Sequence, residues 1–209
     1  MIIELFGMPG AGKSTLARRL VDEFGFERVS IQGHRELLVL NVRSFFRNPF
    51  RYYSLLRYAW VDKEEGGRWS KFANLLHYHA RYEKARGMKK AILDQGYLQN
   101  LISVFSRAIS IQELERYIKV MPLPDALAVF TQPADLTLVR TSGRRYEIRE
   151  REGDEAFRRK LAIMEKNIAL VLENQELLKR TIISVDGRMP TIAACQHVLD
   201  SLASQNPAR

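Results

Sequence analysis

The chain has 209 residues, 46 % of them hydrophobic and 27 % charged, which is the length and balance of one globular domain with a substantial core and excludes a disordered polymer. A single cysteine, Cys195, excludes an internal disulfide framework, and its neighbours Ile192, Val198 and Leu199 predict a packed thiol. The net charge of +9 suits a phosphorylated small molecule, a nucleic acid or an anionic membrane surface, and does not choose between them.

In chain order, Ile2 to Phe6 reads as a short buried strand that opens directly into a glycine turn. No charged leader precedes it and no apolar run approaches membrane-spanning length, so a cytoplasmic location is expected. From Lys13 the period becomes helical, with Leu16, Leu20 and Phe24 spaced by four, and Gly25 is the expected stop. Phe26 to Ile31 is predicted as a second strand, closing a strand–helix–strand unit of right-handed crossover size. Residues 35–86 read as mostly helical, with breaks at Asn48-Pro49 and Gly66-Gly67. Lys90 to Asp94 is a strand ending in a carboxylate, and helical segments follow through Lys119. Pro122 and Pro124 lead into a strand over Ala126 to Thr131, and a helix from about Pro133 to Arg140 runs into the arginine-rich stretch 140–151. Glu155 to Lys179 has helical period, with Phe157, Leu161, Met164, Ile168, Val171 and Leu172 on one stripe. Thr181 to Val185 is the last strand, followed by a helix to about Ala203 and a frayed tail. No linker divides residues 1–209, so a single domain is expected. The alternation implies an α/β fold: a parallel five-stranded sheet between two helical layers, with ligands at the carboxyl ends of the strands.

Gly7-Met-Pro-Gly-Ala-Gly-Lys-Ser14 matches G-x-x-x-x-G-K-[ST] without a mismatch, between a strand and an amphipathic helix. By average residue frequencies the pattern arises by accident in under roughly one per cent of chains this long. Its glycines let backbone N–H groups turn inward on phosphate oxygens, and the helix from Lys13 adds its positive end. The nucleotide-binding set is therefore Gly7, Pro9, Gly10, Ala11, Gly12, Lys13, Ser14 and Thr15, with Lys13 on the β- and γ-phosphates and Ser14 on Mg²⁺. The cofactors expected are ATP and Mg²⁺. Asp94, at a strand end facing this loop, suits either the Mg²⁺ shell or proton removal from an attacking hydroxyl; a helix N-cap is its structural alternative.

These residues give the chain a resemblance to the nucleoside and nucleotide kinases of the P-loop superfamily, particularly the thymidylate-kinase-like branch. The resemblance runs through Phe6 to Thr15, Ile92-Leu-Asp-Gln-Gly96, Leu123-Pro-Asp-Ala-Leu-Ala-Val-Phe130, Arg140-Thr-Ser-Gly-Arg-Arg145 and Ile183-Ser-Val-Asp-Gly187. It implies the three-layer P-loop fold, phosphoryl transfer from ATP, and an arginine-bearing lid over about 140–153. In that lid Arg140, Arg144 and Arg145 are the candidates to stabilise the transferring phosphoryl group. The resemblance also implies a possible homodimer. Gln95 departs from the pattern, standing where the family carries an arginine beside the acid. Asp186-Gly187 reads as a turn near the nucleotide, or as a plain strand-to-helix turn.

The segment 35–86 corresponds to the acceptor wall of such kinases. Its arginines suit an anionic acceptor and its aromatics a sugar or base, although half or more of those aromatics are expected to be helix packing. His34, Arg35 and Gln95 are the candidate substrate contacts. The leading expectation is an ATP-dependent kinase acting on a small acceptor: a nucleoside, a nucleotide or another anionic metabolite. The alternatives are a regulatory nucleotide-binding protein without transfer, motivated by Gln95, and a nucleotide-dependent nucleic-acid-binding protein, motivated by charge.

Overall fold

The computed structural model describes residues 1–61, 68–105, 107–142 and 147–204. Strand β1 (Ile2–Gly7) is followed by helix α1 (Lys13–Phe24) and strand β2 (Glu27–Arg28). Helices α2 (Gly33–Arg47), α3 (Pro49–Val61) and α4 (Arg68–Ala85) lead to β3 (Ala91–Leu93). Helices α5 (Tyr97–Val104) and α6 (Ile111–Val120) precede β4 (Ala126–Thr131), and α7 (Ala134–Thr141) and α8 (Glu147–Glu173) precede β5 (Thr181–Asp186). Helix α9 (Thr191–Ser204) closes the described chain.

All strand pairs are parallel, in the order β2-β3-β1-β4-β5. Strand β1 is central because the first crossover carries the chain outward to β2, and the later ones return it in the opposite direction through β3, past β1, to β4 and β5. Right-handed crossovers then put α1 on one face and the β2–β3 and β3–β4 connections on the other. Accordingly α1 packs with α9, whereas α5 packs with β1, α4 and α8. Burial on both faces makes β1 and β4 nearly continuous apolar runs, with Ile3, Leu5, Phe6 and Ala126 to Phe130 excluded from solvent. Cys195 is packed in α9, where burial pushes its thiol pKa up.

Two elements, β2 and α8, differ from the sequence reading by more than a residue or two. Strand β2 has two residues rather than the six of Phe26 to Ile31. It is an edge strand whose partner β3 is itself only three residues long, and the chain turns away into α2 at Gly33, whose φ is 81°. Helix α1 stops where expected, at a left-handed Gly25 whose N–H caps Leu20 O. The long helix α8 starts earlier than Glu155, bends at Gly153 (φ 84°, ψ 177°) and ends at Glu173 rather than Lys179. Asn174 Nδ2 takes the Leu170 carbonyl at 2.8 Å there, and a 3-10 turn (Gln175–Leu178) follows. The Asn48-Pro49 break separates α2 from α3, while Gly66-Gly67 lies outside the described residues.

Among the described aromatics of α2 and α3, packing is the exception. Phe45, Phe46, Phe50 and Tyr53 are exposed, and only Tyr52 turns inward. The reason lies in α2, whose one buried side chain is the polar Asn41, bonded to Leu37 O, Leu76 O and the Tyr52 hydroxyl.

Candidate nucleotide and catalytic site

The glycine loop leaves the carboxyl end of β1, and its glycines are there for geometry. At Gly7 (φ 138°) a Cβ would lie 2.1 Å from the Phe130 carbonyl oxygen of β4. Gly10 (φ 72°) faces Thr141 and Arg140, and Gly12 (φ 93°) is the left-handed N-cap of α1. Lys13 Nζ donates to the carbonyls of Gly7 and Met8, at 2.7 Å each, so the ammonium lies along the loop it belongs to. Ala11 is buried beneath, Pro9 and Gly10 are half-buried, and Ser14 and Thr15 are exposed on the first turn of α1. The loop thus presents an ammonium, a helix N-terminus and hydroxyls toward one surface, the donor set a polyphosphate requires. An exposed hydroxyl at Ser14 fits a hard cation such as Mg²⁺.

Two glutamines fix this loop from outside. Gln99 Oε1 accepts from Gly7 N at 3.1 Å, and Gln132 Nε2 donates to Pro9 O at 3.0 Å and to Thr137 Oγ1 at 2.6 Å. Arg140 is drawn into the same structure, donating to Gln132 Oε1 at 3.1 Å and to Gly187 O at 2.6 Å. It lines a cavity of about 230 Å³ together with Gly10, Gly12, Thr15, Asp186 and Gly187. The expected nucleotide-side turn therefore does abut the phosphate loop. Asp186 itself makes a local turn, accepting from Arg188 N at 2.9 Å and pairing with the Arg188 guanidinium at 2.6 Å; that side-chain contact holds its carboxyl pKa down at about 2. Arg144 and Arg145 lie outside the described residues.

Glu4 is the residue that sequence reasoning missed. It is wholly buried on β1, and its carboxylate accepts from Tyr82 Oη at 2.5 Å and Gln99 N at 3.0 Å, with the N–H groups of Tyr97 and Leu98 also contributing. A strand side chain thereby caps the N-terminus of α5. Burial raises its pKa to about 7, against the opposing pull of those hydrogen bonds. Gly96 is the complement, because a Cβ there would lie 2.3 Å from the Glu4 carboxyl carbon. The available signal was a lone charge inside an apolar strand, and in another motif a glycine two residues after an acid.

Asp94 stands at the carboxyl end of β3, next to β1, and its side chain is 13 % exposed. Its Oδ2 is paired with Arg28 of β2; among the described residues Oδ1 is not tied to that pair. It does not cap α5, whose N-cap is Gly96 without a side-chain bond. Gln95 is exposed, and both its carbonyl oxygen and Oε1 accept from Arg81 Nη1, at 3.2 and 3.3 Å. An arginine from α4 therefore stands beside the position that lacks one. His34 and Arg35 are exposed on the first turn of α2. His77 of α4 is close enough to feel both His34 and Arg81, and burial followed by those charges lowers its pKa.

No protein-family model matches the chain, and no curated protein sequence does. Solved structures do. Deoxyadenosine kinase from M. mycoides with the products dCMP and a flexible dCDP bound superposes with a TM-score of 0.65 at 15 % identity, covering 98 % of this chain and all of that one. The same enzyme with bound dATP gives 0.60 at 15 % identity over 97 % and 98 % of the two chains, and with bound dCTP 0.54 at 15 % over 98 % and 100 %. The fold is that of the P-loop nucleoside kinases. In this kinase fold the glycine loop, Asp94 and the Asp186-Gly187 turn all sit at the carboxyl edge of the sheet, on β1, β3 and β5.

Proposed function

We propose that this chain is an ATP-dependent phosphotransferase whose acceptor is a nucleoside or a closely similar small molecule. The observation that carries the reading is the complete Gly7 to Ser14 loop at the carboxyl end of the central strand, opening onto the N-terminus of α1. The end-to-end likeness to deoxyadenosine kinase supports a nucleoside acceptor over a nucleic acid. Lys13 and the loop N–H groups bind the phosphates, and Thr15 adds a hydroxyl. Ser14 and Asp94 are the residues that would hold Mg²⁺, which when bound neutralises developing charge on the phosphates. Asp94, oriented by Arg28 through Oδ2, has Oδ1 left for one of two roles, the Mg²⁺ shell or the proton of the attacking hydroxyl. Arg140, together with Arg144 and Arg145, stabilises the equatorial phosphoryl oxygens. His34, Arg35, Gln95 and Arg81 face the acceptor, with Arg81 supplying the positive charge that Gln95 lacks. The reading carries with it a cytoplasmic location and a homodimer, for which the exposed Phe46, Phe50 and Tyr53 offer an apolar face.

The test is ADP formation from ATP and Mg²⁺ across deoxynucleosides, nucleosides, their monophosphates and single-stranded DNA. Acceptor-dependent turnover with one small molecule is expected. Lys13→Ala should abolish nucleotide binding, and Asp94→Asn should keep it while lowering turnover by about 10²- to 10⁴-fold. Tight ATP binding with no acceptor-dependent turnover would overturn the kinase reading. It would favour a regulatory nucleotide-binding protein, for which Gln95 and the engagement of Asp94 by Arg28 already speak.

A further inference from the structure

At the opposite end of the sheet from the glycine loop lies a second cavity, of about 220 Å³. It sits between α2, the start of α3 and the end of α4, beside Pro122, which leads into the amino end of β4. Its walls carry Arg47, Arg51, Tyr52, His79, Glu83 and Arg86. None of these is used by the phosphate loop or by the acceptor-side residues.

The charges do not balance. Glu83 is buried and already held by two arginines of α2, Arg43 at 3.1 Å and Arg47 at 2.7 Å. Among the described residues neither Arg51 nor Arg86 has a carboxylate partner. The Arg51 guanidinium is half-buried; its Nε donates to Val120 O at 2.7 Å and Nη2 to Met121 O, while Nη1 has no hydrogen-bond partner among the described residues. Burial pushes its pKa down, and the neighbouring charge of Arg86 adds to that. His79 lies beside them at 5 % exposure, stacked on Tyr52 at 4.5 Å, and its Nε2 is without a hydrogen-bond partner among the described residues. A buried donor left unmade is costly, as is the half-buried Arg51 guanidinium without a carboxylate; Arg86, which lines the same cavity, is exposed.

We propose that this cavity is a binding site for a phosphate group, distinct from the nucleotide loop, in which Arg51, Arg86 and the His79 Nε2–H converge on one oxyanion. Donors from three directions suit a tetrahedral dianion better than a planar carboxylate, and arginine forks match phosphate geometry. The volume exceeds several times the share of one water, leaving room for a small group attached to the phosphate. The site is independent of the kinase reading, because no residue in it takes part in that chemistry.

The test uses the full chain carrying Lys13→Ala, so that the glycine loop contributes no phosphate affinity of its own. Isothermal titration with potassium phosphate, against potassium chloride at equal ionic strength, should give one site with a Kd on the order of 1 mM. Arg86→Ala or Arg86→Gln on that background should weaken it at least about tenfold, while the ¹⁵N resonance of His79 Nε2 moves with phosphate only when Arg86 is present. Ribose 5-phosphate is the second probe: binding with equal or greater affinity identifies a metabolite phosphoryl group, and exclusion identifies free phosphate. Heat no different from chloride, or phosphate affinity unchanged by loss of Arg86, would overturn the site.

Discussion

Glu4 and His79 are both buried against tyrosines, Glu4 bonded by Tyr82 and His79 edge-on to Tyr97, and burial moves their protonation in opposite senses of stability. The Glu4 pKa rises from 4.5 to about 7, so the folded state holds a proton that the unfolded state releases. Its contribution is fully present below 4.5 and is lost as pH rises to 7, a change on the order of 3 kcal/mol. The His79 pKa falls from 6.5 to about 4, so its contribution is complete above 6.5 and is lost as pH falls toward 4. Over the shared window of pH 4.5 to 6.5 the two slopes cancel. Wild-type stability in urea should therefore change little there. Glu4→Gln should unmask stability that rises with pH, and His79→Phe stability that falls with it. Parallel profiles for the two variants would refute this assignment.

Helix α5 shows why part of the site was not legible in the sequence. Its N-terminus is capped from β1, a strand more than ninety residues away, and local spacing carries no record of such a pairing. By contrast α6 carries its own capping box, Ser110 with Glu113, and α1 its own start and stop glycines. Ends that are satisfied locally leave a record in the spacing, as at Gly25. The capping box of α6 was another such record, although the sequence reading ran its helices together through Lys119 and did not use it. Ends that borrow a partner across the fold leave none. The same holds at Asp94, where the motif predicts the carboxylate but not Arg28, and at Gln95, where only folding brings Arg81 alongside. The borrowed cap predicts a steric test. Gly96→Ala should drive a methyl into the Glu4 carboxylate and lower the unfolding free energy measured in urea by about 1–3 kcal/mol, with the slope unchanged. A neutral result would mean that the carboxylate has room to withdraw.

For the molecule as a whole, the alternation of apolar runs with helical periods and the glycine loop sufficed to predict a parallel five-stranded sheet, because strands joined by helices pair in parallel. What composition concealed was where the charge goes: arginines divide between the carboxyl edge, through Arg81 and Arg140, and the opposite end, through Arg47, Arg51 and Arg86. Sheet order also ranks local stability. Amide exchange should be slowest in β1 and β4, which are paired on both sides, and fastest among the strands in β2, which has one partner and two residues. Equal protection of β2 and β1 would contradict that ranking. The contact between Glu4 and Gly96 reaches further, into the history open to this sequence. A side chain at position 96 fits without a clash only after position 4 has shrunk, whereas shrinking position 4 first leaves helix N–H groups that water or a new side chain can satisfy. The order of change at these two positions therefore matters: change at the strand before the helix avoids the clash that the reverse order must absorb.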